Sequence, residues 1–453
     1  MSTDSPLRPR PPAPPPLATG ERIDRQRLLD TYAAYGKPRS AFRVGGEFER
    51  PVVRGDGTPV AYDEPDGIRW ILQEIGRRQP GWIPYEEEGH LIALEQTTGA
   101  SVTLEPGGQV ELSGAPFFTL RDLADEMYAN RQVMLELAED HDLHWLACGL
   151  SPVARLDDIP WMPKARYRVM RAYLPQVGDL ALAMMKGTSS VQANFDFEDE
   201  ADCARKVRAA AGVSPLITAL FSNSPLLENR PSGFLSYRGH IWTRTDPART
   251  GFPLREAYSH ERWVDYLLDV PMMFYKRDNA WLPAHGATFR TFMERGLDGH
   301  FPSDKDWALH QTSVFPEVRI KHTIEVRGAD CVAPDLAVGF CALLTGLLYD
   351  EAALDEAIAL TEEIEQDGTA DSRFAGAVRL GLSAPLRGRT FADWTRDLGA
   401  IAARGLQKVM PDDVSLLEPL LGVIDSGRSP AVRLLEAWEQ NPDPRAIVKA
   451  AAY

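Results

Sequence analysis

The sequence predicts an α+β fold, in which antiparallel strands form a sheet and helices pack around it. Segments such as VQANFDFED and VTLEPGGQVEL alternate apolar and polar residues, which is typical of half-buried strands. Longer segments such as LRDLADEMYANRQVMLELAE place apolar residues three and four positions apart, which predicts helices. Strands that fall into hairpins and meanders between such helices indicate antiparallel pairing and the α+β class.

In chain order, the predicted elements begin after a proline-rich segment. Residues 1–20 contain seven prolines and no apolar periodicity, so we expect a disordered or polyproline II tail. We expect a helix over ERIDRQRLLDTYAAYG, a strand pair over FRVGGEFERPVV and a helix over DGIRWILQEIGRRQ. A β-meander is expected over GHLIALEQTTGASVTLEPGGQVELSG, and the long helix follows it.

The second half of the chain continues this alternation and then becomes helical. Further strands are expected at HWLACGLSP, SSVQANFDFED and RIKHTIEVRGAD, and Arg238 lies between the strand-like segments GFLSY and IWT. After about residue 333 the pattern predicts mostly helices. No linker-like segment or internal repeat interrupts residues 21–453, so we expect a single domain there.

Composition narrows the class of protein. A chain of 453 residues can bury a large core, and its formal net charge of -16 without a basic patch argues against a nucleic-acid partner. The four cysteines form no C-x-x-C pair, which argues against a zinc knuckle and fits a reducing compartment. The longest apolar run, LAVGFCALLTGLLY, is too short to span a bilayer and suits a buried helix. With no signal peptide visible, we expect a cytoplasmic protein without a membrane partner.

The hairpin candidate SVTLEPGGQVELSG carries two glutamates that share a face. Alternation places its four apolar residues on one face and Glu105 and Glu111 on the other. A loop over residues 107–109 would pair residue 105 with 111, residue 104 with 112 and residue 103 with 113. Like charges directly opposite each other destabilise a strand pair by up to about 1 kcal/mol, and a cation between them would reverse the effect. A solvated polar face is the alternative interpretation of this hairpin alone.

Other predicted strands also carry charged or amide side chains on one face. GGEFER points two glutamates to one side, VQANFDFED adds an amide pair, and RIKHTIEVRGAD adds three cations and a fifth glutamate. Oxygen ligands of this kind suit Mg²⁺ that is bound to phosphates, and arginine and lysine suit phosphoryl charge. The sequence is therefore compatible with a divalent-metal phosphoryl site, and a set of strands that each keep one face in water stays the alternative interpretation.

The common nucleotide-binding and hydrolase motifs are absent from the sequence. It has no G-x-x-x-x-G-K-[ST] loop, no G-x-G-x-x-G after a strand and no G-x-S-x-G elbow. His141 and His144 are three residues apart near a predicted helix end, where we expect a surface or core role. If ATP is used, metals and cations must therefore hold its phosphates.

Over roughly residues 38–350 the chain resembles the glutamate–cysteine ligases of plants and proteobacteria. The resemblance rests on GGEFER, ASVTLEPGGQVELSGAP, MPKARYRVMRAYLP, SVQANFDFEDE, GFLSYRGHIWTRTDPARTG, YLLDVPMMF and FPEVRIKHTIEVRGAD. It implies an antiparallel sheet curved into a funnel, related to glutamine synthetase and guanidino kinases. It also implies an enzyme that uses ATP and Mg²⁺, or Mn²⁺, to join the γ-carboxylate of L-glutamate to the amine of L-cysteine through γ-glutamyl phosphate. The enzyme would be a monomer or homodimer, and its product would serve glutathione or ergothioneine biosynthesis.

The same resemblance implies roles for individual residues. Arg238 would bind the α-carboxylate of glutamate with Trp242 and Arg249 nearby, and Tyr266 would line the cysteine pocket. The cations that face the phosphates, and so serve both catalysis and ATP binding, would be Arg319, Lys321 and Arg327. The metal ligands would be Glu47, Glu49, Glu105, Glu111, Gln192 and Glu325.

Two departures from the family pattern keep other functions open. Where the plant and proteobacterial branch has Arg-Thr-Cys, this chain has Gly187, Thr188 and Ser189, as in the branch that serves ergothioneine synthesis in actinobacteria. A γ-glutamyl ligase for a different amine therefore stays possible, as does a catalytically silent metabolite-binding protein. Ala124 and Val338 replace the paired cysteines of the plant enzymes, so we expect no redox switch of that kind.

Overall fold

The structure, a computed structural model, describes residues 22–253 and 257–453. The tail predicted over residues 1–20 lies outside these ranges, and the single domain expected over residues 21–453 stays a prediction. The described strands are β1 Val44–Arg50, β2 Val52–Val53, β3 Ile83–Glu87, β4 His90–Glu95, β5 Ser101–Leu104, β6 Val110–Ser113, β7 His144–Trp145, β8 Ser190–Phe195, β9 Leu226–Leu227, β10 Arg230–Pro231, β11 Thr250–Gly251, β12 Phe274–Arg277, β13 Ala280–Pro283, β14 Phe315–Pro316, β15 Val318–Ile320, β16 Ile324–Asp330, β17 Pro385–Leu386 and β18 Arg389–Thr390.

The helices lie between these strands and dominate the C-terminal third, as the sequence predicted. Within the described ranges they are α1 Arg25–Ala33, α2 Ile68–Arg78, α3 Leu120–Glu139, α4 Ala165–Tyr173, α5 Ala181–Gly187, α6 Glu200–Leu220, α7 Tyr237–Trp242, α8 His260–Asp269, α9 Phe289–Arg295, α10 Asp304–Gln311, α11 Pro334–Tyr349, α12 Glu351–Ile364, α13 Ala370–Leu380, α14 Phe391–Val409, α15 Glu418–Ser426, α16 Pro430–Gln440 and α17 Pro444–Ala451.

An eight-stranded sheet organises the molecule. Its order is β15-β16-β8-β1-β6-β5-β4-β3, and every neighbouring pair is antiparallel. Phe48 of β1 pairs with Leu112 of β6 and Val191 of β8, and all three side chains belong to the buried core. Helices α3, α6 and α11 contact the sheet. The expected α+β class, with a large antiparallel sheet and surrounding helices, is confirmed.

The helix α11 contains the apolar run that the sequence analysis assigned to a buried helix, and most of its residues are buried. No single helix in residues 22–253 and 257–453 has the length and apolar composition to cross a membrane. Only α11 and α12 taken together pass that test, and they meet at a bend of 98°.

The register predicted for the β5–β6 hairpin is wrong by two residues. The prediction paired Glu105 with Glu111 and Thr103 with Ser113. In the structure Thr103 pairs with Glu111, and Ser101 pairs with Ser113. The Glu105 N–H donates to the Gln109 carbonyl at 2.9 Å, so the loop comprises residues 106–108. Gly108 closes it with a φ of +89°, a conformation that glycine adopts without strain. Because a slip of two preserves the alternation of faces, the glutamates still share the polar face.

The segment RIKHTIEVRGAD forms a hairpin and not the single strand predicted from its alternation. The chain turns back after Ile320, where the Lys321 N–H donates to the Thr323 carbonyl at 2.9 Å. This turn sets Arg319 directly opposite Glu325. Alternation alone does not reveal a turn that contains neither glycine nor proline.

Two smaller predictions also need correction. Arg238 lies on the short helix α7 and not between strands. This helix begins here because Ser236 caps it by accepting a hydrogen bond from the Gly239 N–H. The strand predicted over HWLACGLSP is limited to β7, which pairs only with β2.

Candidate active site

A cavity opens over the polar face of β1, β6 and β8. Eight of the residues predicted for the site line it, namely Glu47, Glu49, Glu105, Glu111, Gln192, Trp242, Arg319 and Arg327. Arg238, Arg249, Tyr266, Lys321 and Glu325 are not part of this lining. Antiparallel pairing brings most of the first set together from strands that are far apart in sequence, and Trp242 joins them from α7.

Glutamates are paired between strands and not within the hairpin. Glu49 of β1 lies directly opposite Glu111 of β6, and Glu47 lies opposite Gln192 of β8. Burial, together with Glu105 and Glu111, raises the pKa of Glu49 to about 8. Burial, together with Glu325 and Glu111, raises the pKa of Glu47 to about 7. Both carboxyl groups are therefore harder to ionise than a solvated glutamate.

Hydrogen bonds from neighbouring strands hold these carboxylates. Glu49 accepts from the Ser190 N–H at 2.7 Å, from the Ser190 hydroxyl at 2.9 Å and from the Gln192 amide at 3.0 Å. Glu47 accepts from the Asn194 amide at 3.0 Å. Glu111 accepts from the hydroxyls of Thr103 and Ser113 at 2.9 and 3.0 Å.

These donors fit a hard divalent cation by their chemistry, since carboxylate and amide oxygens are the ligands of Mg²⁺. In the described part of the chain, however, no three His, Cys, Asp or Glu side chains already form a group that could hold a metal ion. The carboxylate oxygens of Glu49 and Glu111 instead accept hydrogen bonds from the hydroxyl and amide donors of β5, β6 and β8. Metal binding would thus require these side chains to exchange hydrogen bonds for coordination.

Glu325 is the centre of a buried ion cluster. Its oxygens lie 2.7 Å from Arg319 and 2.6 Å from Lys321, and they also contact Arg327. Burial raises the pKa of Glu325, but the three cations outweigh it and hold the pKa well below its usual range. Glu325, which was predicted as a metal ligand, thus forms ion pairs with three cations and does not line the cavity.

The three cations differ in what they can reach. Arg319 and Arg327 line the cavity, whereas Lys321 is buried behind it against Glu325. Arg327 also donates to the Gln192 side chain, which links the cations to the carboxylate strands. Arg319 donates to the Val314 carbonyl at 2.9 Å. Two fixed guanidinium groups therefore face the carboxylates across the cavity.

Arg238 is buried beside this site and held from two directions. Its Nη2 donates to the Arg327 carbonyl at 3.0 Å, and its Nη1 lies 3.8 Å from Asp330. Asp330 also accepts from the hydroxyls of Ser224 and Ser236, which fixes the start of α7. Trp242, at the other end of that helix, lies with its ring centre 5.8 Å from the guanidinium carbon.

Arg249, which the resemblance places near Arg238, does not line this cavity. Its guanidinium is fully buried and donates to Asp246 at 2.6 Å, to the Pro271 carbonyl at 2.7 Å and to the Ser313 carbonyl at 3.0 Å. These contacts tie separate loops together, so the side chain serves the structure around the site. Tyr266 lines a second cavity, which Trp242 also borders, and donates to the Ala248 carbonyl at 3.1 Å.

Sequence reasoning missed several residues of the site. Arg166 and Tyr167 line the first cavity, and the Tyr167 hydroxyl donates to the Leu104 carbonyl at 2.7 Å. Both belong to MPKARYRVMRAYLP, a segment recognised as a motif but without a chemical pattern of its own. Glu317 lines the second cavity, and burial raises its pKa to about 7 although Arg238 and Arg327 oppose the shift. Its position two residues before Arg319 was the available signal.

Comparison with known proteins gives a consistent result. The family model described as glutamate-cysteine ligase family 2 matches residues 43–450. Among the most similar relatives, glutamate–cysteine ligase B of Oryza sativa subsp. japonica is 37% identical over 445 residues, which is 96% of this chain and 88% of the relative. The Arabidopsis thaliana glutamate–cysteine ligase is 38% identical over 449 residues, or 96% and 84% of the two chains.

A solved structure supports the fold. The glutamate–cysteine ligase of Francisella tularensis, determined in complex with AMP, superimposes with a TM-score of 0.52 at 14% identity and covers 90% of this chain and 87% of its own. The resemblance drawn from the motifs is thereby confirmed at the level of the family and the fold. The expected cytoplasmic location is wrong by this comparison, because the similar plant ligases are named as chloroplastic.

The ion cluster leads to a prediction about stability. Glu325→Gln leaves three cations buried beside one another without their counter-ion, so we expect the free energy of unfolding to fall by about 3–5 kcal/mol. Glu105→Gln serves as the control because Glu105 is half-buried at the cavity wall, and we expect a change of less than about 1 kcal/mol there. Urea unfolding followed by tryptophan fluorescence measures both, and equal stabilities would contradict the central role of Glu325.

Proposed function

The chain belongs to glutamate–cysteine ligase family 2 and is a ligase, and from that premise we propose that it joins the γ-carboxylate of L-glutamate to the amine of L-cysteine at the expense of ATP. The observation that carries this proposal is one cavity with carboxylates of β1 and β6 on one side and Arg319 and Arg327 on the other. Such a cavity suits a reaction between two anions, because each needs positive charge and a fixed position.

The chain's own side chains would position the reactants. Arg238 would hold the α-carboxylate of glutamate, which directs the γ-carboxylate toward the γ-phosphorus of ATP. Arg319 and Arg327 would face the phosphate oxygens and stabilise the charge that develops during transfer. The amine of the acceptor would then attack the γ-glutamyl phosphate and release phosphate.

A divalent cation completes this assignment. Glu47, Glu49, Glu105, Glu111 and Gln192 would hold Mg²⁺ or Mn²⁺, which supplies positive charge to the phosphates when bound. We assign Glu325 to a different task, since its oxygens already pair with three cations. It would keep Arg319 and Arg327 in place while they contact phosphate.

A second candidate function, ligation to a different amine, is favoured by Gly187. A side chain at this position would meet the methyl groups of Leu150 and Leu156 at 2.7 Å, so an arginine cannot be accommodated without movement. Thr188, the next residue, lines the cavity. The acceptor side of the site is therefore built differently from that of the plant branch, and the product would serve glutathione or ergothioneine biosynthesis according to the organism's pathway.

An assay with a panel of amines tests both functions. Purified protein with ATP, Mg²⁺ and glutamate should release ADP and phosphate most rapidly with L-cysteine, and mass spectrometry should detect γ-glutamylcysteine. A preferred amine other than cysteine would support the second candidate. No glutamate-dependent ADP release with any amine would refute both.

The metal assignment predicts a loss of turnover in Glu105→Gln. Removing one transition-state charge contact should lower kcat about a hundredfold and raise the Mg²⁺ concentration needed for half-maximal rate. Glu126→Gln is the matched control, because Glu126 is half-buried and accepts from the Ala115 N–H outside the cavity lining. Wild-type kcat and metal dependence in Glu105→Gln would overturn the assignment.

The substrate assignment predicts a selective effect of Arg238→Lys. Lysine cannot reproduce a bidentate grip on a carboxylate, so the KM for glutamate should rise about tenfold or more while the KM for ATP stays near wild type. Arg244→Lys is the control, since Arg244 follows the same helix but pairs with Asp179 at the surface. Equal changes in both KM values would mean that Arg238 does not bind glutamate.

A further inference from the structure

Three buried polar atoms at the boundary between the two cavities have no hydrogen-bond partner among the described residues. They are the Nε of Arg238, the Nε1 of Trp242 and the Oε2 of Glu317. Trp242 borders both cavities, and Glu317 lines the second. An unpaired buried polar atom destabilises a protein by about 1–3 kcal/mol, so a ligand with both donors and acceptors would stabilise this group of three.

The backbone of Arg327 joins Arg238 and Glu317 in space. The Arg327 carbonyl accepts from Arg238 at 3.0 Å, and the Arg327 N–H donates to the Glu317 carbonyl at 3.0 Å. The two side chains also interact electrostatically, because the charge of Arg238 lowers the pKa of Glu317 against the effect of burial. One cation and one anion therefore lie on either side of a single peptide segment.

Gly328 provides the space for the Glu317 carboxylate. A Cβ at this position would lie 2.5 Å from the Glu317 Oε2, which is closer than real Cβ atoms approach. The absence of a side chain here lets a carboxylate enter the interior beside β16. This packing is specific to Glu317, since the same Cβ would stand 3.4 Å from the next nearest atom, the Thr218 hydroxyl.

We propose that Glu317 is a specificity residue that binds the α-ammonium group of the amino-acid substrate, opposite the α-carboxylate held by Arg238. An α-amino acid carries its two charges on one carbon, which matches a cation and an anion anchored to adjacent backbone groups. The ammonium would supply a donor to Glu317, and the carboxylate would supply acceptors to Arg238 and Trp242.

This assignment rests on the proposed function and deepens it. A ligase that uses only the γ-carboxylate needs no contact with the ammonium group, so Glu317 would act in selection and not in phosphoryl transfer. The site would then reject dicarboxylates of the same length that lack the amine. Such a molecule would leave the buried Glu317 carboxylate without a partner and would place its own carboxylate beside it.

Glutarate, which is glutamate without its ammonium group, tests the assignment. In the wild type, glutarate should be a weak competitive inhibitor against glutamate. In Glu317→Gln the KM for glutamate should rise about thirtyfold, which corresponds to the loss of one buried charge-assisted contact. The inhibition constant of glutarate should stay the same or fall, and the KM for ATP should not change. Glu317→Asp, which retains the charge, should restore part of the preference for glutamate.

Gly328→Ala provides a second variant that disturbs Glu317 without changing its charge. It should show the same selective loss for glutamate, and Glu126→Gln should show none. If glutamate and glutarate weaken by equal factors, or if neither changes in Glu317→Gln, the assignment is overturned while the proposed function stands. A wild type without glutamate-dependent ADP release overturns both.

Discussion

The constraint on which the site depends is the burial of like charges on one sheet face. Glu49 and Glu111 lie opposite each other on adjacent strands, where separated side chains of mixed charge would be more stable. On the far side of β8, Arg319 and Arg327 both form ion pairs with Glu325. The fold thus places buried carboxyl groups and guanidinium groups on separate strands that face one cavity. A folded protein tolerates such strain where binding relieves it.

The strand order explains how the two charge groups stay apart. Strand β8 lies between β1 and β16 and carries the amides Gln192 and Asn194 at the point where the charges would otherwise meet. Gln192 donates to Glu49 and accepts from Arg327, so one amide satisfies both sides at once. An amide can do this because it has both donors and acceptors, whereas a carboxylate or a cation has only one kind.

The sequence was sufficient to predict the strand faces but not the pairing between strands. Alternation placed Glu47 and Glu49 on one face because each strand is half-buried, and the structure agrees. It paired Glu105 with Glu111 because a hairpin is the contact visible within a short segment, whereas the hairpin partner of Glu111 is Thr103 and its glutamate partner, Glu49, lies more than sixty residues away in β1. The α+β class and the family could be predicted, since both follow from local pattern and motif order.

Roles that depend on packing could not be predicted from the sequence. The resemblance places Arg249 near the glutamate-binding Arg238, but its N–H groups donate to loop carbonyls and to Asp246, which no local pattern reveals. Asp330 lies at the end of β16 and receives hydrogen bonds from Ser224 and Ser236 near α7. It thereby couples the strand that carries Arg327 to the helix that carries Arg238. Arg327, which we propose to face phosphate, and Arg238, which we propose to bind the substrate, are therefore linked through one buried carboxylate.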